Sequence, residues 1–362
     1  MKVLITCPRA PVTIEWLRIF DRAGVEVVLA DSLHFPIARY YGSRTYVRVA
    51  SPKLDFTQYK KDMIALISSV DWVIPNCEDI FYLSKIEEEI ESDTFFFMPK
   101  KELLFSLHHK FDFFKLLNAH VRFPKTKYIH NKKEITLDDD TILKPVFSRF
   151  GQNVIRDVNH KTVKNIEPTS SYPWVQQEKI VGTPICNYAL LNKGELIANI
   201  AYRPKYLLNA SASTYFEPHI DKRIDRFMET FAKDSGYTGQ IAFDFIDDGD
   251  NLYVIECNPR ATSGLHLLSE GLVFSNGKFS HNKKLTNTNY RVGSTLYTLF
   301  GIKALLAGEF KTLHSDYKNA KNVLRGMPFY AQFLSMSEIM ARSLMYKKPL
   351  TLASTFDIEF DG

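Results

Sequence analysis

The sequence predicts an α/β (α+β) protein in which an N-terminal parallel α/β unit is followed by lobes built on antiparallel sheets. Three observations lead there. Strand, helix and strand succeed one another within about the first 30 residues, which is the parallel βαβ unit of open doubly wound sheets. From about residue 125 the pattern changes to short alternating runs separated by polar turns, as in a mainly antiparallel sheet. Helical periodicity then returns near 221–235, 289–306 and 330–346.

The elements follow in chain order. Residues 2–6 (KVLIT) form a first strand; Ile14, Leu17, Ile19 and Phe20 mark a helix, and Gly24 fits a position just past its end, where positive φ is wanted. Residues 25–30 are the second strand, a helix spans about 57–69, and 71–75 is a further strand. The ligand crevice of such a sheet is expected at the carboxyl ends of its strands, at Pro8–Pro11 and Asn76–Asp79. No GxGxxG follows the first strand, so a dinucleotide site is not indicated. The later strands are 141–146, 153–158, 174–180, 187–191, 196–202, 240–246 and 252–257, with 274–288 as a surface loop and 356–361 alternating like an edge strand with solvated carboxylates.

Composition narrows the class. With 362 residues, 45% hydrophobic and 24% charged, the chain is long enough for two or three domains, and disordered, collagen-like and coiled-coil readings fall away. The 46 basic and 41 acidic residues leave only +5, without a long Lys/Arg run, which argues against a nucleic-acid partner. Cys7, Cys77, Cys186 and Cys257 form no CxxC pair and sit among apolar neighbours, so they read as reduced thiols. With no secretory signal pattern and no run of about 18 apolar residues, the expected location is cytoplasmic, without a membrane partner.

The segment from Gln240 to Arg260 carries the most chemistry. Two apolar runs flank Asp248-Gly249-Asp250 as a β-hairpin. A turn centred on Gly249 sets Asp244 opposite Val254 and Ala242 opposite Glu256, so Ile241, Phe243, Phe245, Tyr253, Ile255 and Cys257 share a core face. Asp244, Glu256 and Asn258 share the other, a set of hard oxygen donors suited to magnesium held together with phosphates. Acidic residues on a hairpin ordinarily just keep one side wet, but Arg260 beyond them supplies a fixed cation for phosphate oxygens. Lys144 lies inside an apolar strand, where an unpaired ammonium is costly, so an anion is expected beside it. The turn after it presents backbone N–H groups and Arg149 to a phosphate. Lys110 alone reads as a snorkelling lysine before an aromatic-rich segment.

The ordered set Lys110, Lys144 with its turn, Gln177-Glu178-Lys179-Ile180-Val181-Gly182, Asp244 and Glu256-Cys-Asn-Pro-Arg260 resembles the ATP-grasp superfamily, closest to the carbamoyl-phosphate synthase-like carboxylate–amine ligases. The resemblance implies a pre-ATP-grasp domain over 1–95, an ATP-grasp N-lobe over 96–173, a C-lobe with the metal and nucleotide site over 174–285, and a helical cover over 286–362. It implies ATP and Mg²⁺ (or Mn²⁺) as cofactors, Lys110, Lys144 and Arg149 at the nucleotide, and the backbone of Gln177, Glu178, Lys179 and Ile180 reading adenine. Asp244, Glu256 and Asn258 would hold the metal and Arg260 the transferred phosphoryl group. Lys179 replaces the usual aromatic of the hinge, and the acidic residue that commonly binds ribose after the hinge glycine is missing.

The implied activity is activation of a carboxylate as an acyl phosphate and its joining to an amine, with small-molecule or peptide substrates; the alternative is a catalytically silent ATP-binding regulator of the same fold. For the substrate pocket the candidates are Arg203, a carboxylate clamp or a surface charge, with Ser263, Gly264, His266 and Glu78. His266 reads more readily as a packed histidine at a helix start. The apolar helices Gly301–Leu306 and Phe333–Leu344 offer a face for a homodimer.

Overall fold

The computed structural model describes residues 1–148, 151, 153–208, 212–282 and 287–362. Strands β1 (Lys2–Thr6), β2 (Glu26–Asp31), β3 (Thr45–Arg48), β4 (Trp72–Ile74) and β5 (Phe95–Phe96) form a parallel sheet in the order β3-β2-β1-β4-β5. Its central strand is apolar on both faces because helices cover both. Val3 and Ile5 pack on the side of α1 (Thr13–Ala23), and Leu4 on the side of α2 (Phe56–Ile67). As expected, Gly24 closes α1 in the left-handed region, at φ 65°. The short α3 (Asp79–Leu83) and α4 (Lys101–His108) lead out of this unit.

A small antiparallel sheet follows, with β8 (Trp174–Glu178) between β6 (Thr126–Ile129) and β7 (Thr141–Pro145). The main sheet is built from β9 (Thr183–Asn192), β10 (Glu195–Leu208), β11 (Ala212–His219), β12 (Gly239–Asp247) and β13 (Leu252–Asn258). Helix α5 (Lys222–Ser235) lays Ile224, Phe227, Met228 and Phe231 on Ile241, Phe243 and Phe245 of β12. After the one-turn α6 (Leu265–Leu268) comes a hairpin, β14 (Leu272–Ser275) and β15 (Lys278–His281). Then β16 (Tyr290–Arg291) and β17 (Lys321–Asn322) lengthen the main sheet to the order β13-β12-β9-β10-β11-β16-β17. Helices α7 (Thr295–Leu306), α8 (Phe310–Asn319), α9 (Phe329–Tyr346) and α10 (Leu350–Ala353) complete the chain.

The parallel unit and the main sheet share one interior. Trp16 and Phe20 of α1 pack in the same core as Tyr188, Leu190 and Ile200 of β9 and β10 and as Phe274 and Phe279 of the hairpin. Gln240 and Asn76 are buried and bonded across this junction, both accepting from the Trp16 indole N–H, so the crevice expected at Asn76 is filled by the protein itself.

Four other expectations are corrected. The loop expected over 274–288 contains a hairpin, because Phe274 and Phe279 bury against α1; residues 283–286 lie outside the described residues. The strand expected at 153–158 makes only the isolated pairings Ile155–Leu143 and Val158–Asp138. The region beyond 286 is not a helical cover alone, since it supplies β16 and β17. Residues 356–361 form no strand, and Asp357 and Glu359 are buried. The four cysteines are free thiols, and no described helix is long and apolar enough to cross a membrane.

Candidate nucleotide and phosphate site

The β12–β13 hairpin sets the geometry, through a register the sequence count missed. Asp244 stands opposite Glu256 and Ala242 opposite Asn258, while Phe245 pairs with Val254, so Ile255 is the extra residue of a bulge. The bulge shifts the alternation. Leu252, Val254 and Cys257 turn into the core, and Tyr253 and Ile255, expected there, do not join it. Asp244, Glu256 and Asn258 still share a face, now with the two carboxylates side by side. The Asn258 amide donates to Asp244 Oδ2 (3.2 Å) and accepts from Arg260 Nη2 (3.1 Å).

Two lysines arrive from the other side. Lys110, in the turn after α4, is buried and places Nζ 2.6 Å from the Ser148 carbonyl and 3.4 Å from Glu256 Oε1. Lys144 reaches from β7 across to the main sheet, where its Nζ donates to the Ile255 carbonyl at 3.2 Å. The anion expected beside Lys144 is therefore Glu256, shared with Lys110.

The charges respond to this crowding. Burial pushes the Lys144 ammonium down to about 8, with Lys110 adding to the effect and Glu256 opposing it. Burial also favours a protonated Glu256, yet Lys110, Lys144 and Arg260 together hold it below the usual carboxylate range. Asp244 goes the other way, up to about 6, because it is buried and faces the Glu256 charge while only Arg260, Cys186 and Asn258 oppose. Two adjacent carboxylates, one of which resists ionising, form a donor set that a divalent cation would relieve, so these residues fit magnesium. No group of three or more His, Cys, Asp or Glu among the described residues is spaced for a metal. The third protein oxygen would be the Asn258 amide, beside Asp244.

Two cavities meet at this pair and share Gly151, Cys186, Pro204, Asp244 and Glu256 in their walls. One, of about 260 Å³, is bounded by Gln177–Ile180 and by the apolar side chains of Ile142, Ile185, Leu207 and Ile255, a slot suited to a flat heterocycle. The other, of about 250 Å³, is walled by Tyr202, Phe216, Asn258, Arg260, Thr262 and Ser263. A larger cleft, about 940 Å³, opens beside α4 between Met98–Leu103 and Asp234–Gly236 and contains none of these groups.

The expected site residues divide accordingly. Lys110, Lys144, Asp244, Glu256, Asn258 and Arg260 come together, Gln177–Ile180 line the first cavity and Ser263 the second. The Gln177 side chain is buried, donating to Thr126 Oγ1, and the Lys179 backbone N–H is bonded to the Asp140 carbonyl. Arg203 is exposed and absent from both cavity walls: strand alternation gives Tyr202 and Pro204 to the cavity and turns Arg203 to the opposite face, across from Glu217 of β11. His266 is buried elsewhere, with Nδ1 3.0 Å from Glu15 Oε1, as a tie between α6 and α1. Gly264 is a packing glycine, since a Cβ there would lie 2.2 Å from that of Tyr188. Glu78 is buried beside the site, 3.8 Å from Arg260 Nη2. Arg149 lies outside the described residues.

Sequence reasoning missed Ile255, Cys186 and Arg156 as wall residues. None of the three had a local signal: an unbulged hairpin already sets Asp244 and Glu256 on one face, so the extra residue at Ile255 shows only in the observed pairing.

Residues 107–264, which hold every one of the grouped side chains, match the family model of the ATP-grasp domain. The match spans less than half of the chain, so similarity to an ATP-grasp domain is shown for this central part. Among solved structures it is similar to an ADP complex of N5-carboxyaminoimidazole ribonucleotide synthetase, at 14% identity over 85% of both chains with a TM-score of 0.64. It is likewise similar to an L-amino acid ligase from Bacillus licheniformis, at 16% identity over 75% of this chain and 70% of that one, TM-score 0.56. A biotin carboxylase from Campylobacter jejuni aligns at 18% identity over 74% and 67%, TM-score 0.57. Among curated proteins no sequence matches.

Proposed function

We propose that this protein is an ATP- and magnesium-dependent ligase that activates a small-molecule carboxylate as an acyl phosphate and joins it to an amine. The observation that carries the reading is the shared wall of the two cavities: a nucleotide in the first would direct its phosphates past Lys144 and Lys110 to Asp244 and Glu256, beside Arg260 in the second. The structural neighbours named as a ribonucleotide synthetase, an amino acid ligase and a carboxylase support ATP-dependent ligation as the general chemistry.

In this reading the Gln177–Ile180 segment holds the base, and Lys144 and Lys110 offset phosphate charge. Asp244, Glu256 and Asn258 would hold magnesium, which would supply neutralisation of phosphate charge. Arg260, fixed by Asn258 and near Glu78, orients the attacking carboxylate against the γ-phosphorus. A carboxylate oxygen forms a bond to that phosphorus while the bond to the bridging oxygen breaks and ADP leaves. The amine then attacks the acyl carbon and expels inorganic phosphate. No protein nucleophile is needed, and Ser263 stands in the wall where the substrate would lie.

The test is a screen of amino acids and dicarboxylates, each with and without amines, for stimulated ADP release, with mass spectrometry of the products. An acyl–amine conjugate formed with ADP and phosphate is the expected result. Magnesium-dependent ATP binding without any substrate-stimulated ADP release would instead establish the silent regulator.

A further inference from the structure

The segment Phe356–Gly362 is folded back over the carboxyl ends of the parallel sheet and onto the edge of the site. It is anchored at Asp357, whose carboxylate accepts from Arg9 Nη1 at 2.6 Å and from the Ser32 hydroxyl at 2.5 Å and forms an ion pair with Arg342 Nη2 at 2.7 Å. Beyond that anchor, Phe360 contacts Glu78 and Phe147, which lie next to site residues. The Phe360 backbone N–H donates to Glu78 Oε2 at 3.2 Å, and the other oxygen of Glu78 lies 3.8 Å from Arg260 Nη2. The Phe360 ring, stacked on Phe81 with centroids 5.0 Å apart, meets the Phe147 ring edge-on at 6.2 Å. Phe147 precedes Ser148, whose carbonyl accepts from Lys110 Nζ.

Resting on the reading of Arg260 and Lys110 as phosphate-facing cations, we propose that Phe360 and Glu78 are positioning residues. Phe360 fixes Glu78, and Glu78 fixes the Arg260 guanidinium, while the Phe360 ring backs the segment that keeps the Ser148 carbonyl on Lys110. The physical case is one of orientation. A guanidinium steering an attacking carboxylate is useful only at a fixed angle, and a buried carboxylate held by a main-chain N–H is a stiffer support than a solvated one. The nucleotide slot at Gln177–Ile180 is not touched by this segment, so base binding should be independent of it.

The experiment compares Phe360→Ala, Glu78→Ala and Glu78→Gln with the parent protein by hydrogen exchange and by steady-state kinetics. Phe360→Ala keeps the main-chain donor but removes the ring that seats it on Phe81 and Phe147, and is expected to speed amide exchange over 145–148 and 258–262 and to leave 177–180 unchanged. Exchange that is unaltered in the first two segments, or raised evenly across the chain, would overturn the proposal. With a carboxylate that stimulates ADP release, Glu78→Ala should raise the carboxylate KM about tenfold with the ATP KM within about twofold, and Glu78→Gln, which keeps an acceptor for Phe360, should recover part of the loss. Equal effects on both KM values, or none on either, would also overturn it. Should no carboxylate stimulate the parent protein, the ligase reading fails and the exchange pattern alone decides the positioning role.

Discussion

Asp244 and Glu256 face one another directly across the β12–β13 ladder, and the bulge at Ile255 is what brings them level. They are not equivalent. Glu256 is neutralised by two lysines, whereas Asp244 is left to oppose Glu256's charge, so their replacements should separate stability from function. Glu256→Gln leaves Lys110 and Lys144 facing each other without their anion and is expected to lower the melting temperature as well as to weaken magnesium-dependent binding of an ATP analogue about tenfold or more. Asp244→Asn removes a carboxylate whose ionised form is disfavoured, so the melting temperature should hold or rise while metal-dependent binding is lost. Calorimetry of both variants checks this; equal destabilisation by the two would contradict it.

Lys144 predicts a proton coupling. Its ammonium loses charge as pH rises through about 8, and only the charged form attracts phosphate. Affinity for an ATP analogue should therefore decline above that pH, and binding at about pH 8.5 should draw a proton from the buffer. Titration calorimetry in buffers of different ionisation enthalpy reads the uptake directly, and Lys144→Met should abolish it.

Asp357 predicts an acid limit to stability. Burial works against its ionised form, but Arg9 and Arg342 hold it down to about 2, below its ordinary value of 3.8. A carboxylate with a depressed folded-state pKa stabilises fully above its unfolded value and loses that contribution as pH falls through the folded one. Asp357→Asn should cost about 2 kcal/mol at neutral pH, with the difference from the parent closing between about pH 4 and pH 2. Chemical unfolding across that range measures it.

Two glycines predict steric rather than electrostatic failure. A Cβ on Gly182 would stand 2.2 Å from the Asp247 carbonyl oxygen, and one on Gly264 2.2 Å from the Tyr188 Cβ. Alanine at either position should destabilise by about 1–3 kcal/mol. Gly182→Ala should in addition weaken nucleotide binding, since it displaces the strand that follows Ile180; thermal shift with and without nucleotide distinguishes the two effects.

The residues that local pattern exposes were legible in the sequence. The first βαβ unit, Gly24 as its helix stop, and the strands bearing Asp244, Glu256 and Lys144 follow from periodicity of 2 or 3.6 and from turn chemistry. What escaped was set by distant partners. The register at Ile255 depends on which side chains the core under α5 accepts, the burial of Asp357 on Arg9 and Arg342, and the place of His266 on Glu15, 251 positions away. Arg203 failed for a simpler reason: the neighbours Tyr202 and Pro204 take the cavity side, and one residue along a strand is the opposite face.

Helix α9 wears its side chains inside out. Its two charged residues turn to the protein, Glu338 accepting from the backbone amides of His34 and Phe35 and Arg342 pairing with Asp357, while Phe329, Phe333, Met336, Met340 and Leu344 face water. The two sides therefore respond to added salt by different mechanisms. Added salt screens the exposed Glu338 contact that helps fasten the helix, and a strongly excluded salt such as sulfate raises the free energy of the apolar row it leaves wet. Both effects loosen the same helix, which leaves the Arg342–Asp357 pair as the contact that salt reaches least.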